Sequence, residues 1–530
     1  MKLPRHPILL GVGVLVSLIA LFVLVEHLRG RWMLHRELAR LRANGESIVV
    51  ADLTPPMPPP EKNGAAVFLA AATRLGWNSP NGVVTIGVPG AWKAVAPGKV
   101  RVAWQARSWK RFQQPTATNL VTAEQLIEDV RANREALEAI HASLRTPALQ
   151  FEVQYSMKGQ WPRLMPSKQA AQWLRAASLC GLFESDLAGS LTNLESLAFL
   201  VKKQSEDRML IDQLVAIADA SIGVAAMWEA LQAPGWTEPQ LARLQVAWSG
   251  PDFNERMTRA FEMERAMMSG FLEEMTAAEL DAFITGGWIT PTPAPAATWS
   301  SLDAFMKDLP ELCVRALRRG VFLPLYYAAW SDQDKARLLQ QHGSFIKAAR
   351  EVSATHSLAA VKAMIPQNTD ELWEFGEPQR HKTGVYDRCR FLVASRSVEY
   401  AWSSISKACT ADAWRTLAVT AIALQRYQLR HGKLAPTLDA LVPEFMSAVP
   451  LDPMDGKLLR YRLNADGRFT LYSVGDDGVD NGGDASPKPN APTSSYSVVH
   501  GKDLVWPAPA TEEEIKEAEA KSEQSKLGRR

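Results

Sequence analysis

Phe469-Thr470-Leu471-Tyr472-Ser473-Val474-Gly475-Asp476-Asp477-Gly478-Val479-Asp480-Asn481-Gly482-Gly483-Asp484 joins a strand-like run to an acidic turn punctuated by glycine. Asp476, Asp477, Asp480 and Asp484 concentrate oxygen ligands in this turn. A hard cation such as calcium needs several carboxylate or carbonyl oxygens converging on one point, and glycine supplies the tight turns that let a short loop fold round it. The spacing does not match the helix-loop-helix calcium pattern, because no Glu closes a twelve-residue loop. A solvated Asx/Gly turn uses the same residue types, so both readings stand on the loop's chemistry. Working backwards, Leu459 to Leu463 reads as a strand, Asn464-Ala465-Asp466-Gly467 as a hairpin loop and Arg468 to Val474 as its partner strand. Pro450 to Gly456 is a turn and Thr437 to Val442 a short helix. A helical stretch from Asp387 to Leu429 lies ahead of these. Its residues Leu417, Ala421, Leu424 and Tyr427 share one face, and it breaks at His431-Gly432-Lys433, where Gly suits a C-terminal cap.

The order AIALQRYQLRHGKLAPTLDALV, LDPMDGKLLRYR, FTLYSVGDDGVDNGGD resembles the globular end of the major pseudopilin of type II secretion systems. The resemblance implies a small α+β unit over residues 387–506 whose acidic loop binds Ca2+. It also implies a late Asp-hydrophobic-x-Trp segment, here Asp503-Leu504-Val505-Trp506, that returns to the loop. The metal candidates are then Asp476, Asp477, Asp480, Asp484 and Asp503, of which Asp477 and Asp503 match best. A Pro/Ser-rich insertion from Ala485 to His500 is longer than the family's usual spacing. The family's Gly-Phe-Thr-x-x-Glu processing motif is missing, and several hundred residues separate the N-terminus from the resembling part. The resemblance therefore implies a borrowed module rather than a pilus subunit. The whole layout also resembles large membrane-anchored proteins of planctomycete and verrucomicrobial type, a likeness that carries no activity.

Ile8 to Val25 reads ILLGVGVLVSLIALFVLV without a charge. At about 1.5 Å per residue it just spans a hydrocarbon core of about 30 Å. It is longer than a cleavable signal's apolar core and ends in no small-residue cleavage site, so residues 1–27 are expected to be an uncleaved anchor. Residues 28–60 follow as a basic stalk helix, expected to be solvated, and a Pro-rich spacer at Thr54 to Pro60 that stands the body off the membrane. Arg29, Arg31, Arg36, Arg40 and Arg42 outnumber Lys2 and Arg5 before the span, which by the positive-inside rule favours a cytoplasmic body.

Residues 61–365 carry helical periodicity. Thr122 with Gln125 and Thr237 with Gln240 read as capping boxes. Further runs cover Lys168 to Lys203, Glu206 to Leu231, Glu238 to Trp248, Asn254 to Met275, Leu302 to Arg319 and Gln333 to Met364. Successive amphipathic helices bury their stripes against neighbours, which predicts stacked hairpins. Trp173, Trp228, Trp248, Trp330 and Trp402 are expected in the core. The stretches Gly286 to Ser301 and Pro366 to Gly384 read as linkers, residues 507–530 as a charged tail, and Glu512 to Arg530 within it as a frayed helix or a disordered end.

The predicted fold class is mainly α, with an N-terminal transmembrane helix, a central helical-hairpin body and a small C-terminal α+β pseudopilin-like domain. A net charge of +2 on 530 residues gives no electrostatic case for nucleic acid. Cys180, Cys313, Cys389 and Cys409 are scattered without a CxxC. No HExxH, GxSxG, P-loop or helix-opening GxGxxG is present. The expected function is that of a single-pass inner-membrane protein with a periplasmic body, binding envelope or secretion proteins. A cytoplasm-facing scaffold and an envelope hydrolase are the alternatives.

Overall fold

The computed structural model describes residues 7–75, 94–110, 120–159, 164–204, 206–250, 252–285, 313–364, 384–396, 399–488 and 501–527. The expected linker at 286–301, nearly all of the one at 366–384, residues 489–500 of the insertion and the 302–312 part of an expected helix lie outside them.

The fold is mainly helical, with small sheets. Helix α1 (Pro7–Ala43) runs unbroken from the apolar span through the basic stretch. It is followed by α2 (Val50–Leu53), α3 (Ala65–Leu75), the short strands β1 (Ala94–Ala96), β2 (Lys99–Val100), β3 (Ser108–Lys110) and β4 (Leu120–Thr122), then α4 (Ala123–Ala132) and α5 (Arg134–Arg145). Four longer helices build the middle: α6 (Leu164–Phe183), α7 (Leu187–Gln204), α8 (Leu210–Leu231) and α9 (Glu238–Trp248). Then come α10 (Phe253–Glu274), α11 (Ala277–Ile284), α12 (Leu323–Ala329), α13 (Ser331–Thr355), α14 (Leu358–Met364) and α15 (Val385–Arg390). The C-terminal part holds α16 (Glu399–His431), β5 (Arg460–Leu463), β6 (Phe469–Val474), β7 (Asp503–Val505), β8 (Ala508–Pro509) and α17 (Glu512–Leu527).

Both expected capping boxes form, at Thr122 and at Thr237. A third, Thr276 with Glu279, starts α11. The single run expected over 168–203 is instead a hairpin. The chain turns at Ser185, which takes a left-handed φ of 60°, and the Asp186 carboxylate accepts from Gly189 N at 2.9 Å as the next helix begins. Helices α6, α7 and α8 pack on one another, α10 packs along α13, and α16 lies against α8, α9 and α10. All five tryptophans named above are buried. Among the described residues two helices are long and apolar enough to cross a membrane. One is α8, and 67% of its apolar window is buried; the other is the N-terminal span, where the share is 6%. Helix α8 is therefore core, and the exposed span is compatible with a single-pass membrane anchor.

Three expectations change. The stalk is not a solvated rod: Glu26, Glu37 and Leu41 are buried, because α1 lays one face along α13 and α12. The Pro-rich spacer does not set the body apart either, since α1 already touches it and α2 packs on α10. Of the tail's two readings the disordered one falls, and a helix forms over Glu512–Leu527. Thr511 and Glu514 form a reciprocal cap, and Lys99 and Arg101 pair with Glu514 and Glu519, each at 3.0 Å.

Residues 387–506 do not stand apart as a separate body. One continuous core runs from Ala65 through α8 and α16 to Trp506. Trp228 Nε1 on α8 donates to Pro507 O at 2.8 Å, and β8 pairs in parallel with β2, Lys99 opposite Ala508. The hairpin itself is as read, with Tyr461 opposite Leu471, and β7 adds antiparallel to β6 in the order β5-β6-β7.

Candidate cation loop and the neighbouring cleft

The acidic loop hangs between β6 and β7, and its centre is Asp503. Val474 and Asp503 are cross-strand partners, so the returning segment arrives beside the loop despite the intervening insertion. Asp503 is fully buried. Its carboxylate accepts from the backbone N–H of Gly483 at 2.8 Å, of Asp484 at 3.2 Å and of Asn481 at 3.2 and 3.3 Å. Successive amides turned toward one anion form a nest, and the nest needs left-handed residues. Gly482 and Gly483 supply them with φ of 70° and 83°. At Gly483 a Cβ would also stand 2.9 Å from Thr470 Cγ2 and 3.2 Å from Tyr472 Cδ1, so only glycine fits.

The other four aspartates face outward to separate partners. Asp476 pairs with Lys488, and its carbonyl accepts from Lys362 Nζ. Burial is the largest single influence and raises the Asp476 pKa, but the Lys488 hydrogen bond and the charges of Lys488 and Lys362 together outweigh it and leave a net lowering. Asp477 Oδ1 accepts from Val479 N at 3.0 Å, an Asx turn. Asp480 Oδ1 accepts from Gly482 N at 2.9 Å and from the Tyr472 hydroxyl at 3.1 Å, and Oδ2 lies 3.4 Å from Arg460 Nε. The Gly482 amide is the largest influence holding Asp480 below the usual carboxylate range. Asp484 accepts from Lys502 Nζ at 2.9 Å and from Ser486 N at 2.8 Å, which pull its pKa down to about 2. Among the described residues no three His, Cys, Asp or Glu side chains gather as a metal-holding group. The loop's carboxylates are matched to its own lysines, to Arg460 and to backbone amides. The donor set therefore does not form a ready cage, and a cation would have to displace Lys488 or Lys502.

Two acids outside the expected set carry more of the local structure. Asp452 is fully buried. It accepts from Ser473 Oγ at 2.6 Å, Val474 N at 2.9 Å, Met454 N at 3.0 Å and Arg460 Nη1 at 2.7 Å. Burial pushes its pKa up against these donors. Asp455 closes a fork with the same guanidinium at 2.9 and 2.5 Å. Asp452 thus ties the 450–456 turn to β6, while Arg460, at the start of β5, holds the same turn and touches the loop through Asp480. In the sequence, Asp-Pro signals only a turn, and nothing marks Arg460 at the start of a strand as its partner.

Beside this unit a cleft of about 390 Å³ opens between α10, α13 and α16, lined among others by Asp252, His356, Asp412 and Arg415. Two carboxylates and a histidine in a cleft invite a hydrolytic reading. Their oxygens are already committed. Asp252 caps α10 through Asn254 N and Glu255 N at 2.8 and 3.2 Å and accepts from Ser353 Oγ at 2.7 Å. Asp412 accepts from Phe253 N and Asn254 Nδ2, both at 3.1 Å, and from Arg415 at 3.1 Å. Burial pushes Asp412 up to about 7. The pair stabilises the start of a helix, which accounts for both carboxylates without a catalytic role.

Comparison with protein-family models, with curated proteins and with solved structures gives no match.

Proposed function

We propose that the chain is a single-pass inner-membrane protein that holds a rigid helical body in the periplasm, where it binds envelope or secretion proteins. The observation that carries this reading is α1. Its first part is an exposed apolar span, and its second part is fastened to the body by Glu26, Gly30 and Leu41. An anchor welded to a large helical body suits positioning and binding. Protease added to intact spheroplasts should digest the body; a protected body would place it in the cytoplasm. That second orientation is favoured by the arginines at 29, 31, 36, 40 and 42.

The finer part of the proposal is that the C-terminal unit is pseudopilin-like and its loop takes calcium. The helix, turn and three-stranded sheet support it, with Asp503 returning to the acidic turn. Calcium is available outside the cytoplasm, where weak sites are common. It would enter by taking Asp476 and Asp484 from Lys488 and Lys502. Because α16 is part of the common core, the test uses the full chain in detergent, melted with calcium, with magnesium and with chelator. A site filled at a hundred times its Kd adds about 2.7 kcal/mol. Stabilisation by calcium alone, lost in Asp484→Ala, is expected; identical melting in all three conditions would leave the loop as an internally paired turn.

A further inference from the structure

The helix that leads from residue 313 into α12 shows the wrong face to solvent for a water-soluble body. Val314, Leu317 and Val321 are 58%, 63% and 61% exposed. Pro324 and Ala328, which continue the same stripe at helical spacing, are exposed as well. The opposite face is conventional: Leu323, Tyr326 and Ala329 pack into a core cluster with Phe271, Leu280 and Leu338. Arg318 and Arg319 are drawn to one side by Asp281.

The position of this stripe says what covers it. The Trp330 ring meets Phe22 of the anchor edge-on at 6.2 Å, and Val23 packs against the same cluster. His27 Nδ1 lies 3.1 Å from Ala328 O. Residues 22–27 close the apolar span, so the stripe begins at the level where the anchor leaves the hydrocarbon. Tyr386 stands edge-on to Trp330 at 5.9 Å, with Arg390 over its ring. Aromatic and basic side chains at this depth belong to a membrane–water boundary. Helix α13 runs from Gln333 near Glu26 to Gly343 near Arg40 and so leads away from the span.

We infer that the 313–329 helix lies in the bilayer interface beside the anchor, its Val314–Leu317–Val321 stripe seated among acyl chains, so that the body meets the membrane at two places. This rests on reading α1 as a membrane anchor, and it adds a second lipid contact that hydropathy alone does not reveal. Amphipathic helices bind a bilayer in this way by burying an apolar face at the headgroup boundary. The continuity with the span favours lipid over a second copy of the chain.

The test is nitroxide depth measurement on the full chain in phosphatidylcholine vesicles, with Cys313 and Cys389 replaced by serine and the buried Cys180 and Cys409 kept. Labels go at Leu317→Cys and Val321→Cys, with Leu15→Cys as the deep reference and Val246→Cys, 75% exposed on α9, as the aqueous one. Labels at 317 and 321 should be relaxed several-fold more by oxygen than by a nickel chelate, as at 15, while 246 shows the reverse. Aqueous behaviour at 317 and 321 with a lipid signal at 15 would overturn the interfacial helix and leave the anchor standing. Aqueous behaviour at 15 as well would remove the anchor reading itself. Labels at 317 and 321 shielded from both reagents would assign the stripe to protein contact and also overturn the inference.

Discussion

Gln333 donates its side-chain amide to both the backbone carbonyl and the carboxylate of Glu26, each at 2.9 Å, and thereby fixes the end of the apolar span to the first turn of α13. One turn later Gly30 lets the helices touch. A Cβ there would stand 3.1 Å from Gln333 Cγ and 3.2 Å from Asp332 Cβ. Gly30→Leu should therefore cost about 1–3 kcal/mol by overpacking. Faster tryptic cleavage between Arg29 and Arg42 in detergent is the expected readout, with Gly30→Ala milder. Unchanged cleavage would mean that α1 is not docked.

Asp503→Asn replaces an acceptor of three loop amides with a group that has one acceptor oxygen. Loss of amide protection at 481–484 and about 1–3 kcal/mol of local stability are expected, measured by hydrogen exchange. Asp477→Ala removes only an exposed Asx turn and should stay within about 0.5 kcal/mol. Equal effects from the two substitutions would contradict the central place given to Asp503.

Removing Asp452 leaves the Arg460 guanidinium with a broken buried network. Asp452→Ala should be the most damaging substitution among the acids of the C-terminal unit, by about 3–5 kcal/mol. Denaturant unfolding followed at the C-terminal unit checks it.

Asp219 on α8 is fully buried, and neither carboxylate oxygen makes a hydrogen bond of normal geometry among the described residues. Burial pushes its pKa up to about 7, against the pull of Gln204 and Lys168. A carboxyl that binds its proton more tightly when folded contributes stability below pH 4, and that contribution is lost as pH rises toward 7. Asp219→Asn cannot ionise. It should match the parent near pH 4 and exceed it above pH 7 by about 1–3 kcal/mol. Parallel pH profiles for the two proteins would overturn the assignment.

What the sequence shows and what it hides divide along physical lines. The span, both capping boxes and the hairpin at 464–467 are local or strongly patterned signals, and each is legible, whereas the return of Asp503 is implied by the resemblance and by no local pattern. The docking of the stalk is not legible, because Glu26, Glu37 and the surrounding arginines look solvated until Gln333 and Gly30 are placed against them. The same holds for the acidic loop. Asp476 and Asp484 read as metal ligands in isolation, while their pairing with Lys488 and Lys502 shows only in three dimensions. Asp452 and Arg460 escape notice because a buried ion pair leaves no periodicity.

The hydrogen bond from Trp228 to Pro507 spans 279 residues of chain, and β2 waits for β8. Contacts of such separation form late and slowly. During synthesis the core therefore stays open until Pro507 has emerged and can accept from Trp228. A stop codon anywhere upstream of Pro507 yields a product in which Trp228 lacks its acceptor and β2 lacks its partner strand, so that the core cannot be completed.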